Sequence, residues 1–185
     1  MNSQLLNWLI FLPALGALLV LLAPARLARS ITWITTFAAL LLSLLLFPPF
    51  LSGDAFSGDY GRNMQFVSQL AWIHVGNFHI DYHVGLDGIS FPLIILTTLI
   101  TWLSAWACWN FEHWNVNRGP KGFFALFLIL ETGVLGTFAA LDFFLFYIFW
   151  EVMLLPMYFL IGVWAGRGRN TPRSSSSFIR SPVPC

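Results

Sequence analysis

Residues 143–162, FFLFYIFWEVMLLPMYFLIG, form a run of twenty residues with a single charged side chain, Glu151, near its centre. At ~1.5 Å of rise per residue, such a run makes a helix long enough to cross the ~30 Å hydrocarbon core of a bilayer. A carboxylate there sits where water is scarce, and that placement needs a reason. The same length rule picks out four more segments, Leu5–Ala23, Ile31–Leu51, Ile89–Phe111 and Phe123–Ala140, and extends the first run to Phe143–Trp164. Three of them hold no charged residue; the fourth holds Glu131 and the fifth Glu151. The expected fold class is an all-α polytopic membrane protein with about five transmembrane helices.

Composition agrees. Of 185 residues, 58% are hydrophobic and 9% charged, where soluble domains carry roughly a quarter charged residues. A core of this size cannot hide that much apolar surface from water, so the lipid bilayer is the expected solvent. The net charge of +1 argues against a nucleic-acid partner. Cys108 and Cys185 fit neither a disulfide framework nor a metal-ligand spacing, and Cys108 reads as a small packed hydrophobe.

Basic residues follow the first segment (Arg26, Arg29), the third (Arg118, Lys121) and the fifth (Arg167, Arg169). Residues 52–87, by contrast, hold Arg62 against Asp54, Asp59, Asp81 and Asp87. The positive-inside rule then places the N-terminus outside and the chain after Trp164 in the cytoplasm. The first segment has no basic residue before it, so it reads as a membrane helix and not as a secretory leader.

The expected organisation is two helices in 1–51, an outer loop in 52–87, three helices in 88–169 and a tail of different composition in 170–185. In the outer loop, AWIHVGNFHIDYHVG (71–85) alternates apolar and polar residues about Gly76-Asn77, the pattern of a two-residue hairpin. His79, Asp81 and His83 then share one strand face; a wet outer face explains them better than a metal site. Asp87 or Ser90 is placed to cap the third helix, and Asp142 to cap the fifth.

Glu151 is eight residues into its segment, ~12 Å from the outer boundary. Glu131 is eight residues in from the inner end of its own, so both acids are expected near the midplane on adjacent antiparallel helices. No basic residue lies between Gly122 and Gly166 to offset either one. A charged carboxylate at that depth costs ~2.5–3.5 kcal/mol on insertion scales. Each acid therefore either takes up a proton or faces a hydrated interior with a partner elsewhere. Pro156 removes the hydrogen bond to the Val152 carbonyl and is expected to kink the helix one turn beyond Glu151. Tyr147, Glu151 and Tyr158 share a face, which suits a polar path. For Glu131, neighbouring Gly133 and Gly136 suggest tight packing that shelters a structural hydrogen bond. The six aromatics between Phe143 and Trp150 read as lipid and packing contacts.

LDFFLFYIFWEVMLLPMYFLIGVW (141–164) closely resembles the fifth-helix signature of the chain M family of proton-pumping NADH:quinone oxidoreductase, respiratory complex I. YHVGLDGIS (82–90) resembles the segment leading into the third helix of the same family, and the likeness runs from the N-terminus to about Arg169. The resemblance implies the N-terminal part of an antiporter-like fold of about fourteen helices. It implies that Glu151 carries out proton transfer, working with a lysine on a later helix. Glu131 has no assignable counterpart and stands as a second candidate for proton transfer. Other subunits of the membrane arm are the implied partners. The resemblance also implies that NADH, flavin, iron–sulfur clusters and quinone belong on or between other subunits; this sequence has neither the glycine loop nor the cysteine spacing to hold them. The implied location is a bacterial inner membrane.

Two other readings compete: a cation/proton antiporter subunit without a redox partner, and a non-functional truncated product. MLLPMYFLIG, after Glu151, favours the redox-linked family over the first. The tail NTPRSSSSFIRSPVPC (170–185) has the composition of a flexible segment. Serine codons of the TCN type read one nucleotide out of phase become NTC codons for Phe, Leu, Ile or Val. The tail is therefore expected to be a membrane helix read in the wrong frame.

Overall fold

The computed structural model describes residues 2–52, 65–75, 78–109 and 119–164. Its elements are α1 (Asn2–Leu22), α2 (Ala28–Leu45), α3 (Phe47–Ser52), β1 (Gln65–Val75), β2 (Phe78–Leu86), α4 (Ser90–Ala107), α5 (Pro120–Ala139) and α6 (Phe143–Trp164). Among the described residues, α1, α2, α4, α5 and α6 are long and apolar enough to cross a membrane. The expected five-helix class holds. The tail 170–185 lies outside the described residues.

One boundary differs in kind. The segment expected to run unbroken to Leu51 divides at Leu46 into α2 and the short α3. Pro48 and Pro49 have no N–H to donate to the carbonyls of Leu44 and Leu45, so the helix ladder stops there. A smaller shift matters more for function: α5 begins at Pro120, where proline suits the first turn of a helix.

The hairpin forms with the expected two-residue connection. β1 and β2 are antiparallel, with Val75 opposite Phe78 and Gln65 opposite Leu86. Two polar contacts hold it to α1: the Asn7 side-chain amide donates to the Ser68 hydroxyl at 3.2 Å, and the Tyr82 hydroxyl donates to Asn7 Oδ1 at 3.0 Å. Burial pushes the Tyr82 hydroxyl up to about 12, so it remains a donor at physiological pH. At its far end β2 meets the α5–α6 connection, where the Leu141 N–H donates to the His83 carbonyl at 2.9 Å. The hairpin thus clasps one end of the bundle.

Both expected caps form. The backbone N–H groups of Ile89 and Ser90 donate to Asp87 Oδ1 at 3.1 and 2.6 Å, and the Ser90 hydroxyl donates to the same oxygen. Partial burial pushes the Asp87 carboxyl up, but these donors outweigh it and hold the group below the usual carboxylate range. Asp142 accepts from Phe144 and Leu145 N–H at 2.8 and 3.2 Å. Each cap satisfies N–H groups that a helix start leaves open.

The core is built on α5, whose buried residues Phe124, Leu128, Glu131, Leu135 and Ala139 recur at helical spacing. Its other side meets α6 at glycines. A Cβ on Gly133 would lie 2.8 Å from the Met153 backbone nitrogen, and one on Gly136 would run into the Phe149 ring. Backbones this close are how helices associate in lipid, where apolar burial alone gives no preference.

Gly133→Ala is therefore expected to force α5 and α6 apart and destabilise the chain by about 1–3 kcal/mol. Gly162→Ala, where an added Cβ meets nothing within 4 Å, should leave stability unchanged. Denaturation of the detergent-solubilised variants, followed by circular dichroism, checks both.

Candidate functional site

The glycine contact decides where the carboxylates go. Successive helix residues are turned by ~100°, so side chains two positions apart point to nearly opposite sides. Glu131 precedes Gly133 by two and therefore points away from α6; Glu151 precedes Met153 by two and points away from α5. The two acids lie at one depth, since each is eight residues, ~12 Å, from the end of its helix at the α5–α6 connection. Measured from the other end, Glu131 is eleven residues into α5, because the helix starts earlier than the apolar segment suggested.

Glu131 is fully buried in the bundle. Its Oε1 accepts a hydrogen bond from the Thr101 hydroxyl of α4 at 2.8 Å. Its Oε2 is buried with no hydrogen-bond partner among the described residues. The sheltered hydrogen bond suggested by Gly133 and Gly136 is therefore present, but it satisfies half of the carboxylate. Thr101 was not singled out from the sequence. Its signal was there: of Thr97, Thr98 and Thr101 in a run of apolar residues, Thr98 and Thr101 stand at i, i+3 on one helix face.

Glu151 is exposed at the outer face of α6. Tyr147, one turn earlier, lies on the same face of α6. Tyr158 lies on the same face and is 74% exposed. The expected Tyr147–Glu151–Tyr158 face exists, then, and it looks outward from these helices. Of the large aromatics before Glu151, Phe149 packs into the core, while Phe143, Phe144, Phe146 and Trp150 are exposed. The helix continues through Pro156 to Trp164.

Neither acid makes an ion pair among the described residues, and the two are not joined to each other. No group of three His, Cys, Asp or Glu side chains converges as a metal site among the described residues. The backbones of His79, Asp81 and His83 lie on β2, but the side chains of His79 and Asp81 lie outside the described residues.

If the half-satisfied Glu131 is retained for more than packing, an apolar side chain of similar length should be tolerated there. Glu131→Met is expected to be at least as stable as the parent chain. Thr101→Val, which leaves the carboxylate without a partner, should cost about 1–3 kcal/mol. Unfolding titrations in mixed micelles separate these outcomes.

No family model matches the chain. It is 38% identical to NAD(P)H-quinone oxidoreductase chain 4 1 of Picosynechococcus sp., over 91% of this chain and 30% of that protein. It is 34% identical to NADH-ubiquinone oxidoreductase chain 4 of Marchantia polymorpha, over 94% of this chain and 33% of that one. Among solved structures, a chain of respiratory complex I from Thermus thermophilus matches with a TM-score of 0.63 and 27% identity, over 87% of this chain and 28% of that chain. A chain of the membrane-bound sulfane sulfur reductase, an archaeal respiratory membrane complex, has a TM-score of 0.60 at 18% identity, a likeness of fold. The chain spans about a third of the length of the curated relatives it matches. It is an integral membrane protein, and over about nine tenths of its length it is similar to a part of the chain 4 subunits of the NAD(P)H-quinone oxidoreductases.

Proposed function

We propose that the chain contributes a proton-translocation path to the membrane arm of an NADH:quinone oxidoreductase, with Glu151 as the principal proton-carrying group and Glu131 as a second. The observation that carries this reading is the position of Glu151. It lies at membrane depth on the open face of α6, beside Tyr147, with no cation among the described residues to pair with it. A carboxylate turned toward lipid costs several kcal/mol, roughly 2.5–3.5 on insertion scales. That face therefore suits a hydrated or cation-bearing surface, and a carboxylate meeting such a surface can load and release a proton as its partner approaches or withdraws.

The other subunits of the membrane arm and the lipid bilayer are the partners in this reading. Electron transfer from NADH, through flavin and iron–sulfur clusters to quinone, takes place on or between those other subunits. The four-part division of the chain, with the proton-translocation motif in 88–169, goes with it. We place the hairpin end outside a bacterial inner membrane and the ends carrying Arg26, Arg29 and Lys121 in the cytoplasm, because basic residues gather at one end of the helices and Asp87 and Asp142 at the other.

Within the assembled oxidoreductase, Glu151→Gln keeps the side chain's shape and removes its acidic proton. Assembly should survive, proton pumping should fall severely, and turnover should fall with it where the two are tightly coupled. Glu151→Asp should retain part of the activity. Normal pumping by assembled Glu151→Gln enzyme would instead make Glu151 an interhelical bonding group. For orientation, in a background lacking the native cysteines, Leu70→Cys should react with an impermeant thiol reagent from outside intact cells, and Ala25→Cys should not. The reverse labelling would invert the topology.

A further inference from the structure

The bundle contains a set of buried hydroxyls that the proposed function leaves unused. Ser43 on α2 and Thr98 on α4 are fully buried, and their oxygens lie 2.9 Å apart. Thr101, one turn further along α4, is the residue that donates to Glu131. Alone, a pair of interhelical hydroxyls reads as glue between helices. The Oε2 of Glu131, buried with no partner among the described residues, points to more, because such an atom is a place for a water or a proton.

Geometry joins the two features. Thr98 and Thr101 are three residues apart on one face of α4, where Cβ atoms are roughly 5–6 Å apart, so a route between their hydroxyls calls for one bridging water. A serine or threonine hydroxyl donates one hydrogen bond while accepting others, so such a series can hand a proton along without any member changing its own charge. Toward the hairpin end the series stops beneath Phe50 and Phe91, whose rings are both buried and stack with centroids 4.1 Å apart. Leu46 and Ile94, also buried, belong to the same apolar cluster.

We propose that Glu131 is a proton-binding site reached from the hairpin end through the Ser43–Thr98 hydroxyl pair, with Phe50 and Phe91 as the apolar gate over that route and Thr101 as the residue that positions the carboxyl. The route rests on the reading of Glu131 as a proton-exchanging acid and adds its path. In the loading step, a hydronium ion above the opened gate gives a proton to Ser43, and is left as water, as Ser43 passes its own to Thr98. Thr98 hands one to the bridging water, that water to Thr101, and Thr101 to Glu131. Each hydroxyl ends with the single proton it began with, and the net change is one hydronium ion and one carboxylate becoming one water and one carboxylic acid.

Infrared difference spectroscopy of the full chain in lipid nanodiscs tests this by reading the carbonyl stretch of protonated carboxylic acids during exchange from H2O to D2O. Glu131→Gln should remove one band and so assign it. Thr101→Val should shift that band to higher frequency, as expected when a carbonyl oxygen loses its donor. Thr98→Val and Ser43→Ala should each slow deuterium exchange at the band by about tenfold, the effect of one lost relay hydrogen bond. Phe91→Ala should speed the exchange. Thr32→Val removes an equally buried hydroxyl near the opposite end of α2 and should leave the rate unchanged. Wild-type exchange rates in both Thr98→Val and Ser43→Ala, with the band intact, would overturn the route while leaving Glu131 a proton-binding acid. Equal slowing by Thr32→Val would also overturn it. Absence of a Glu131 acid band at every pH would overturn the underlying reading of Glu131 itself.

Discussion

The close approach of α5 and α6 at Gly133 and Gly136 is the contact on which the rest of the arrangement depends. It brings a helix backbone onto Met153 and an aromatic ring onto Gly136, and so fixes the rotation of each helix about its axis. Once rotation is fixed, two acids at the same depth must point in opposite directions. One enters the bundle and meets Thr101; the other leaves it beside Tyr147. A side chain at either glycine would turn both helices and rearrange both environments.

Lipid supplies no hydrogen bonds, so every polar group at that depth must find a partner in protein or in trapped water. The threonines meet this requirement locally. Thr32, Thr35 and Thr132 return their hydroxyls to the carbonyl four residues earlier, at 2.9, 2.7 and 3.1 Å. Such hydroxyls cost the membrane little, because each spends its one O–H on its own helix. Carboxylates cannot be satisfied this way, because they need donors that a helix interior does not have. That is why Glu131 and Glu151 differ in kind from the buried hydroxyls around them, and why both stand out as candidate proton carriers.

Much of this was legible in the sequence. The five apolar runs give the helices, Gly76-Asn77 gives the hairpin connection, and Asp87 and Asp142 fall where caps are needed. The Tyr147–Glu151–Tyr158 face follows from helical spacing. The orientation of α5 did not, because a helix apolar on every side carries no amphipathic stripe to say which face is inward. For the same reason the partner of Glu131 was invisible: contact between α4 and α5 is set by tertiary packing between segments thirty residues apart. The break after Leu45 was present in Pro48-Pro49 but hidden by the unbroken apolarity around it.

Opposite environments for two acids at one depth can be measured directly with a lipophilic carbodiimide, which enters membranes and reacts with protonated carboxyl groups. Treating the chain in lipid nanodiscs and mapping the adduct by peptide mass spectrometry should place it on the peptide containing Glu151, with Glu131 spared in its closed interior. Modification of Glu131 with Glu151 untouched would contradict the packing of α5 against α6 described here.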